Sequence, residues 1–404
     1  MTVVAPTLNR FLASAKPSAT YKVIDRVASR RASGASIISL SAGEPDFDTP
    51  EHVRDAGIAA IRNGHTRYTQ VAGLRALREA VAEKFHRENG LDVSWRDTLV
   101  CSGGKQVIFN ALAATLNEGD EVIIPAPYWV SYPEIVQLCG GTSVVVPCGA
   151  IDGFKLTPDA LARSITPRTR WLILNSPSNP TGAVYSRAEL QDLAEVLLAH
   201  PDVLVLSDDI YEHLIFDDLP FFTIAQIEPR LQGRVLTMNG VSKAYAMTGW
   251  RIGFCAGPIW LIDAMEKLQG QQTSGACSVS QHAALAALSG PNDFIRQSRD
   301  AFQRRRNLVV ELLGSAPGLQ CTSPQGAFYV FASCESLIGK RTPAGTAIRS
   351  DEDFVNALLD EAGVAVVHGS AFGLGPYIRV AYALDDPSLR AACSAIARFC
   401  ERVA

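Results

Sequence analysis

Several residues with chemical capacity stand directly after short apolar runs. Arg234 to Met238 (RVLTM) is followed by Asn239-Gly240-Val241-Ser242-Lys243, with Arg251 eight residues further on. An amine at such a position becomes a nucleophile or base once it loses its proton. After Trp171 to Asn175 (WLILN) comes Ser178-Asn179-Pro180-Thr181-Gly182, and after Val203 to Ser207 (VLVLS) come Asp208, Asp209 and Tyr211. A carboxylate at the end of a buried strand is costly to desolvate unless it meets a cation, although capping a helix would account for one of the two aspartates. Ser102-Gly103-Gly104-Lys105 follows Thr98 to Cys101 and opens a helical pattern. Free backbone N–H groups and the helix dipole favour an anion such as phosphate there. Tyr128 and Trp129 follow Glu121 to Pro125 and offer ring faces to a flat group. Arg379, the one charge in Tyr377 to Tyr382 (YIRVAY), needs a carboxylate partner.

Taken singly, each feature has a plain structural explanation: a tight turn, a packed aromatic pair, an exposed lysine. Together they supply an anion cradle, a stacking surface, a buried carboxylate, an amine and a carboxylate-binding arginine. In an open α/β sheet ligands gather beyond the carboxyl ends of the strands, where these residues fall. The residues alone therefore point to an enzyme acting on a carboxylate with a phosphorylated cofactor. The glycine pair is not a Walker loop, and no G-x-G-x-x-G motif follows a strand.

The elements that must position these residues alternate between short apolar runs and helical patterns from Thr98 to Ala256, which predicts a sheet flanked by helices. Ser143 to Pro147 and Ile252 to Ala256 complete the strand set, and runs apolar at every position suit strands buried on both faces. Lys105 to Leu116 and Ser186 to His200 read as helices, the second with Ser186 and Glu189 spaced as a capping box. Beyond Gly290 the pattern becomes a long charged helix, whose Arg304-Arg305-Arg306 run reads as a solvated face, then strands at Ala327 to Phe331, Val364 to Val367 and Tyr377 to Tyr382. That second lobe reads as α+β. Lys340 to Ser350 reads as an exposed loop.

Composition narrows the partners. Lys and Arg total 37 against 41 Asp and Glu, a formal charge of -4 that offers no bulk attraction to nucleic acid or anionic lipid, so a small-molecule partner is expected. No apolar run approaches the roughly 20 residues a membrane helix needs. Nine scattered cysteines form no C-x-x-C pair or zinc-like cluster and read as reduced thiols in a cytoplasmic protein. The first residues read as a frayed terminus in preference to a transit segment.

Around the lysine, Ser242-Lys243-Ala244-Tyr245-Ala246-Met247-Thr248-Gly249-Trp250-Arg251-Ile252-Gly253 resembles the cofactor-lysine segment of class I pyridoxal-phosphate-dependent aminotransferases. Ser41-Ala42-Gly43-Glu44-Pro45-Asp46-Phe47, Asn175 to Gly182 (NSPSNPTG) and Ser207 to Glu212 (SDDIYE) resemble the same family in the expected order. The resemblance runs from about Lys16 to the C-terminus and is nearest to the bacterial-type Iβ aspartate aminotransferases, which include aspartate/prephenate enzymes. It implies fold type I: a mostly parallel seven-stranded sheet with helices on both faces and a smaller α+β domain. The implied division is a flexible 1–15, a large cofactor-binding domain over 50–290, and a small domain from 16–49 and 291–404.

The implied activity is reversible transfer of an amino group from L-aspartate to 2-oxoglutarate, with prephenate as a further acceptor. Pyridoxal 5'-phosphate would sit as a Schiff base on Lys243, which also shuttles a proton. Asp208 would partner the pyridine nitrogen; Asn179 and Tyr211 the phenolic oxygen; Trp129 would stack on the ring. Gly103, Gly104, Lys105 and Arg251 resemble the phosphate cradle, and Tyr68 would reach the phosphate of the neighbouring subunit in a homodimer. Arg379 would hold the substrate α-carboxylate with Asn179 and Gly43. Lys105 would bind the distal carboxylate, and Lys16 resembles a residue linked with prephenate use. Gly240 stands where relatives outside this subgroup carry a phosphate-binding serine. Within enzymes, an aromatic aminotransferase or a carbon–sulfur lyase shares the cofactor constellation; a non-catalytic ligand sensor would leave the lysine, aspartate and arginine set without purpose.

Overall fold

The computed structural model describes residue 7 and residues 9–404. Seven strands form the larger sheet: β1 (Thr98–Cys101), β2 (Glu121–Ala126), β3 (Thr142–Pro147), β4 (Thr169–Asn175), β5 (Leu204–Asp208), β6 (Val235–Gly240) and β7 (Gly253–Ala256). Their spatial order is β1-β7-β6-β5-β4-β2-β3. β7 runs antiparallel to β1 and β6, and every other neighbouring pair is parallel.

Alternate residues of these strands feed two separate cores. Ile123, Leu172, Leu174 and Val205 pack on one face, while Val122, Ile124, Trp171, Ile173, Leu204 and Leu206 pack on the other. Burial on both faces is the reason the strands are apolar throughout. The edge strand β3 departs from this, with Val145 40% exposed. Helices α1 (Gly104–Thr115) and α2 (Arg187–Leu198) flank the sheet, and Ser186 and Glu189 form the predicted capping box.

A second, antiparallel sheet holds β8 (Gln320–Cys321), β9 (Tyr329–Ser333), β10 (Val367–His368) and β11 (Tyr377–Ala381) in the order β10-β11-β9-β8. Helices α3 (Asp293–Gly314) and α4 (Asp386–Glu401) pack together beside it. The N-terminal segment joins this half: Ile38–Ser39 pairs in parallel with Val364–Ala365, and Leu40 lies in the same core as Phe328, Val380 and Ile396. Of the segment expected to be flexible, Arg10–Ser14 is a short helix capped by Asn9, and residues 1–6 and 8 lie outside the described residues.

Three features of this half differ from the sequence reading. The strand expected at Ala327 starts instead at Tyr329, because Ala327 has a φ of 58°, outside the extended region. The run Val364 to Val367 breaks at Val366 and serves both small sheets. The arginine run on α3 is not a solvated face: only Arg304 is exposed. Arg305 binds both oxygens of Asp46, at 2.7 and 2.9 Å, and its guanidinium lies 5.0 Å from the Phe47 ring centroid. Arg306 binds Asp217 and lies over Phe216. Long arginine stems can cover apolar rings while their heads find carboxylates, which a charge pattern alone does not reveal. Lys340 to Ser350 is largely exposed, as expected, with Thr342 and Ile348 buried.

Candidate active site

A cavity of about 560 Å³ opens at the carboxyl ends of the large sheet and takes residues from both halves of the molecule. It is lined by Lys243, Asp208, Asn179, Tyr211, Arg251 and Arg379, and also by Gly43, Gly104, Lys105 and Trp129. Gly103 adjoins it through Arg251, as described below. Lys16 and Tyr68 stand apart. The Lys16 backbone N–H donates to Glu134 Oε2 at 2.7 Å, and Tyr68 is 94% exposed, away from its own chain's cavity.

Lys243 follows β6 and reaches back across the cavity floor to donate to the Gly43 carbonyl at 2.5 Å. Burial pulls its pKa down to about 8; Arg251 and Arg379 push the same way, and Glu44 and Asp208 oppose them. An amine so tuned is neutral in a useful fraction near physiological pH.

Asp208 ends β5 and is 4% exposed. No helix starts after it, so neither aspartate is a helix cap. Its Oδ2 accepts from the Tyr132 hydroxyl at 2.5 Å and its Oδ1 from the Ile210 N–H at 3.3 Å. Burial raises its pKa to about 6 against the hydrogen bond from Tyr132. Asn175, closing β4, donates to the Asp208 carbonyl at 2.9 Å and accepts from the Asn179 N–H at 2.8 Å, so one amide joins two cavity loops. The Tyr211 hydroxyl is 2.8 Å from that of Tyr329, and burial lifts its pKa well above the ordinary value.

Arg379, on β11, is 2% exposed. Its Nη1 donates to Asn179 Oδ1 at 3.0 Å and its Nη2 to the Ser41 carbonyl at 2.6 Å, while Nε has no partner. The guanidinium lies 4.6 Å from the Tyr329 ring centroid and 4.9 Å from that of Phe372. Among the described residues no carboxylate pairs with it.

At the other end of the cavity, Gly103 has a φ of +88° and is the N-cap of α1, and a Cβ there would lie 2.3 Å from Arg251 Nη2. Only glycine lets that guanidinium approach the helix N-terminus. Lys105 Nζ lies 4.9 Å from the Trp129 ring centroid, with no ion-pair partner among the described residues; burial lowers its pKa and Arg251 adds to the effect. A Cβ at position 240 would be crowded, 3.1 Å from Gly253 Cα and from the Ile252 carbonyl oxygen, whereas Ser242 lines the cavity.

Sequence reasoning missed Tyr132 and Tyr329. Tyr132 lies three residues beyond Trp129, and their rings meet edge to face at 5.4 Å; a turn at that point carried the signal. Tyr329 comes from the other sheet, and nothing in the sequence links it to Tyr211. Tyr128, offered as a stacking surface, instead packs against Gly373.

The chain belongs to the family described as Aminotransferase class I and II, which matches residues 35–396. It is 57% identical to a probable aspartate/prephenate aminotransferase of Rhizobium leguminosarum bv. phaseoli, over 96% of this chain and 97% of that one. Identity to the aspartate/prephenate aminotransferase of Cereibacter sphaeroides is 56%, over 97% and 98%. The crystal structure of the aspartate aminotransferase from Rhizobium meliloti superposes with a TM-score of 0.96 at 50% identity, covering 99% of this chain and all of that one. The fold type implied by the sequence is thus the fold of the molecule.

Proposed function

We propose that this chain transfers the amino group of L-aspartate to 2-oxoglutarate, giving oxaloacetate and L-glutamate, and accepts prephenate as a second amino acceptor. The observation that carries the reading is Arg379, a buried guanidinium with a free Nε and no carboxylate partner among the described residues. An uncompensated buried cation is costly, and an incoming α-carboxylate would offset that cost with a bidentate pair.

Pyridoxal 5'-phosphate fits the remaining groups. Lys243 would hold it covalently, Asp208 would face its pyridine nitrogen, and Asn179 and Tyr211 its phenolic oxygen. Trp129 would cover the ring. The backbone of Gly103 and Gly104, with Arg251 and Lys105, would cradle the phosphate at the N-terminus of α1. Bound there, the cofactor supplies an electron sink for the pair released when the substrate Cα–H bond breaks. Lys243 Nζ, once freed by the incoming substrate amine and with its pKa lowered to about 8 by burial, would take that proton. Gly43 and Asn179 would support the α-carboxylate beside Arg379, Lys105 would meet the distal carboxylate, and Lys16 would serve prephenate.

The same proposal includes a cytoplasmic homodimer in which Tyr68 reaches the partner's phosphate site. Its exposure in the single chain supports that role. The lobes would be 50–290 and 16–49 with 291–404, the cavity lying between them. The test is a half-reaction screen: the loaded enzyme is mixed with aspartate, glutamate, phenylalanine, arogenate and cystathionine, and loss of the visible band is followed. Aspartate, glutamate and arogenate should bleach it fastest. Phenylalanine reacting as well as aspartate would refute the role of Lys105, and product release from cystathionine without amino transfer would indicate a lyase.

A further inference from the structure

Residues 209–214 form an irregular turn with no helix or strand to hold it, yet the stretch from Asp208 supplies Asp208, Ile210 and Tyr211 to the cavity lining. Its side chains diverge. Tyr211 points forward, bonded to Tyr329 and edge-on to Phe328. The next residue, Glu212, points backward and is 7% exposed. There it pairs with Lys84 Nζ, 1% exposed, from the helix Arg75–Asn89. Asn89 closes a triangle: its Nδ2 donates to Glu212 Oε2 at 2.7 Å and its Oδ1 accepts from Lys84 at 2.6 Å. Beside them His213 Nε2 lies 3.0 Å from Glu88 Oε2. None of Lys84, Asn89, Glu88 and Glu212 lines the cavity.

A buried ion pair is a poor source of stability, because desolvation consumes most of the attraction; apolar residues of similar volume do as well. What such a triangle supplies is geometry, since each of its members has its orientation fixed by the other two. We infer that Lys84, Glu212 and Asn89 form a positioning device for the reaction proposed above, clamping the turn from behind so that Asp208 and Tyr211 keep their aim at the cofactor. The inference rests on that functional reading. The backbone carries the coupling: the Glu212 N–H donates to the Asp209 carbonyl at 3.0 Å, and the Asp209 N–H to the Met238 carbonyl on β6 at 2.9 Å. Asp209 itself does not line the cavity, and its Oδ1 accepts from the Ser207 hydroxyl at 2.7 Å.

The test uses the full chain with Glu212→Gln, Lys84→Met and the double variant, reading the Kd for pyridoxal phosphate, the pH midpoint of the visible band and the melting temperature. Glu212→Gln keeps the shape and the Asn89 contact, which guards against mere unfolding. It should weaken cofactor binding about tenfold, a coupling of the size seen within one hydrogen-bonded network, and shift the pH midpoint. The double variant should lose no more than the worse single one. If Glu212→Gln and Lys84→Met lower only the melting temperature, leaving Kd and midpoint at wild-type values, or if their effects on Kd multiply fully, the positioning role is overturned. A wild-type protein that binds no pyridoxal phosphate would overturn the functional reading, and this inference with it.

Discussion

Two arginines of the smaller half are equally buried and differently answered. Arg306 is 4% exposed and Arg379 is 2% exposed. Arg306 has both oxygens of Asp217, at 2.6 and 2.8 Å, and the Pro324 carbonyl. Among the described residues Arg379 has only neutral acceptors and an idle Nε. The first is satisfied by its own chain, and the second is left for something else to satisfy. The unanswered charge marks the site, because only a ligand would justify leaving it.

The comparison breaks most visibly at Arg379. Arg379→Ala should lower kcat/KM for aspartate about a thousandfold, roughly 4 kcal/mol, while leaving the melting temperature unchanged or higher. Steady-state kinetics beside a thermal scan checks both halves of that statement.

Asp208 extends the contrast to an acid. Its pKa is raised from 3.8 to about 6, so between those values the folded apoprotein binds more protons than the unfolded chain. Stability therefore falls as pH rises through that window and stays lower above it. Asp208→Asn should stabilise the cofactor-free protein at pH 7 by about 2–3 kcal/mol and lose that advantage near pH 4, while abolishing turnover. Denaturant titrations at the two pH values would reveal it; an equal effect at both would not fit.

The opposite behaviour belongs to Arg306. Its carboxylate partner is half exposed, with 51% of its side-chain surface open, so Arg306→Ala should cost about 2 kcal/mol of stability rather than a fully buried pair's worth. For the folded fraction kcat/KM should stay within about twofold of wild type.

Much of this was legible in the sequence for a physical reason. Strands buried on both faces must be apolar, so Asp208, Asn179 and Lys243 stand out at or just beyond strand ends, and Arg379 stands out as the one charge within a strand. What stayed hidden depends on contacts between distant segments. Arg305 and Arg306 looked like a solvated run because their partners, Asp46 and Asp217, lie far away in sequence. Tyr329 meets Tyr211 only after the second sheet docks. The Lys84 triangle was invisible for the same reason, since a lysine within a helix ordinarily faces water. Ala327 shows the local limit: its positive φ ends a strand that composition would extend.

The central claim is that Lys243 is the amine held ready for a cofactor among these unanswered charges. Borohydride reduction of the pyridoxal-phosphate-loaded protein, followed by peptide mapping, tests it most directly. The account predicts a pyridoxyl label on the peptide carrying Lys243 and none in Lys243→Ala. A label on Lys105 or elsewhere in the wild-type chain, or no label at all, would contradict it.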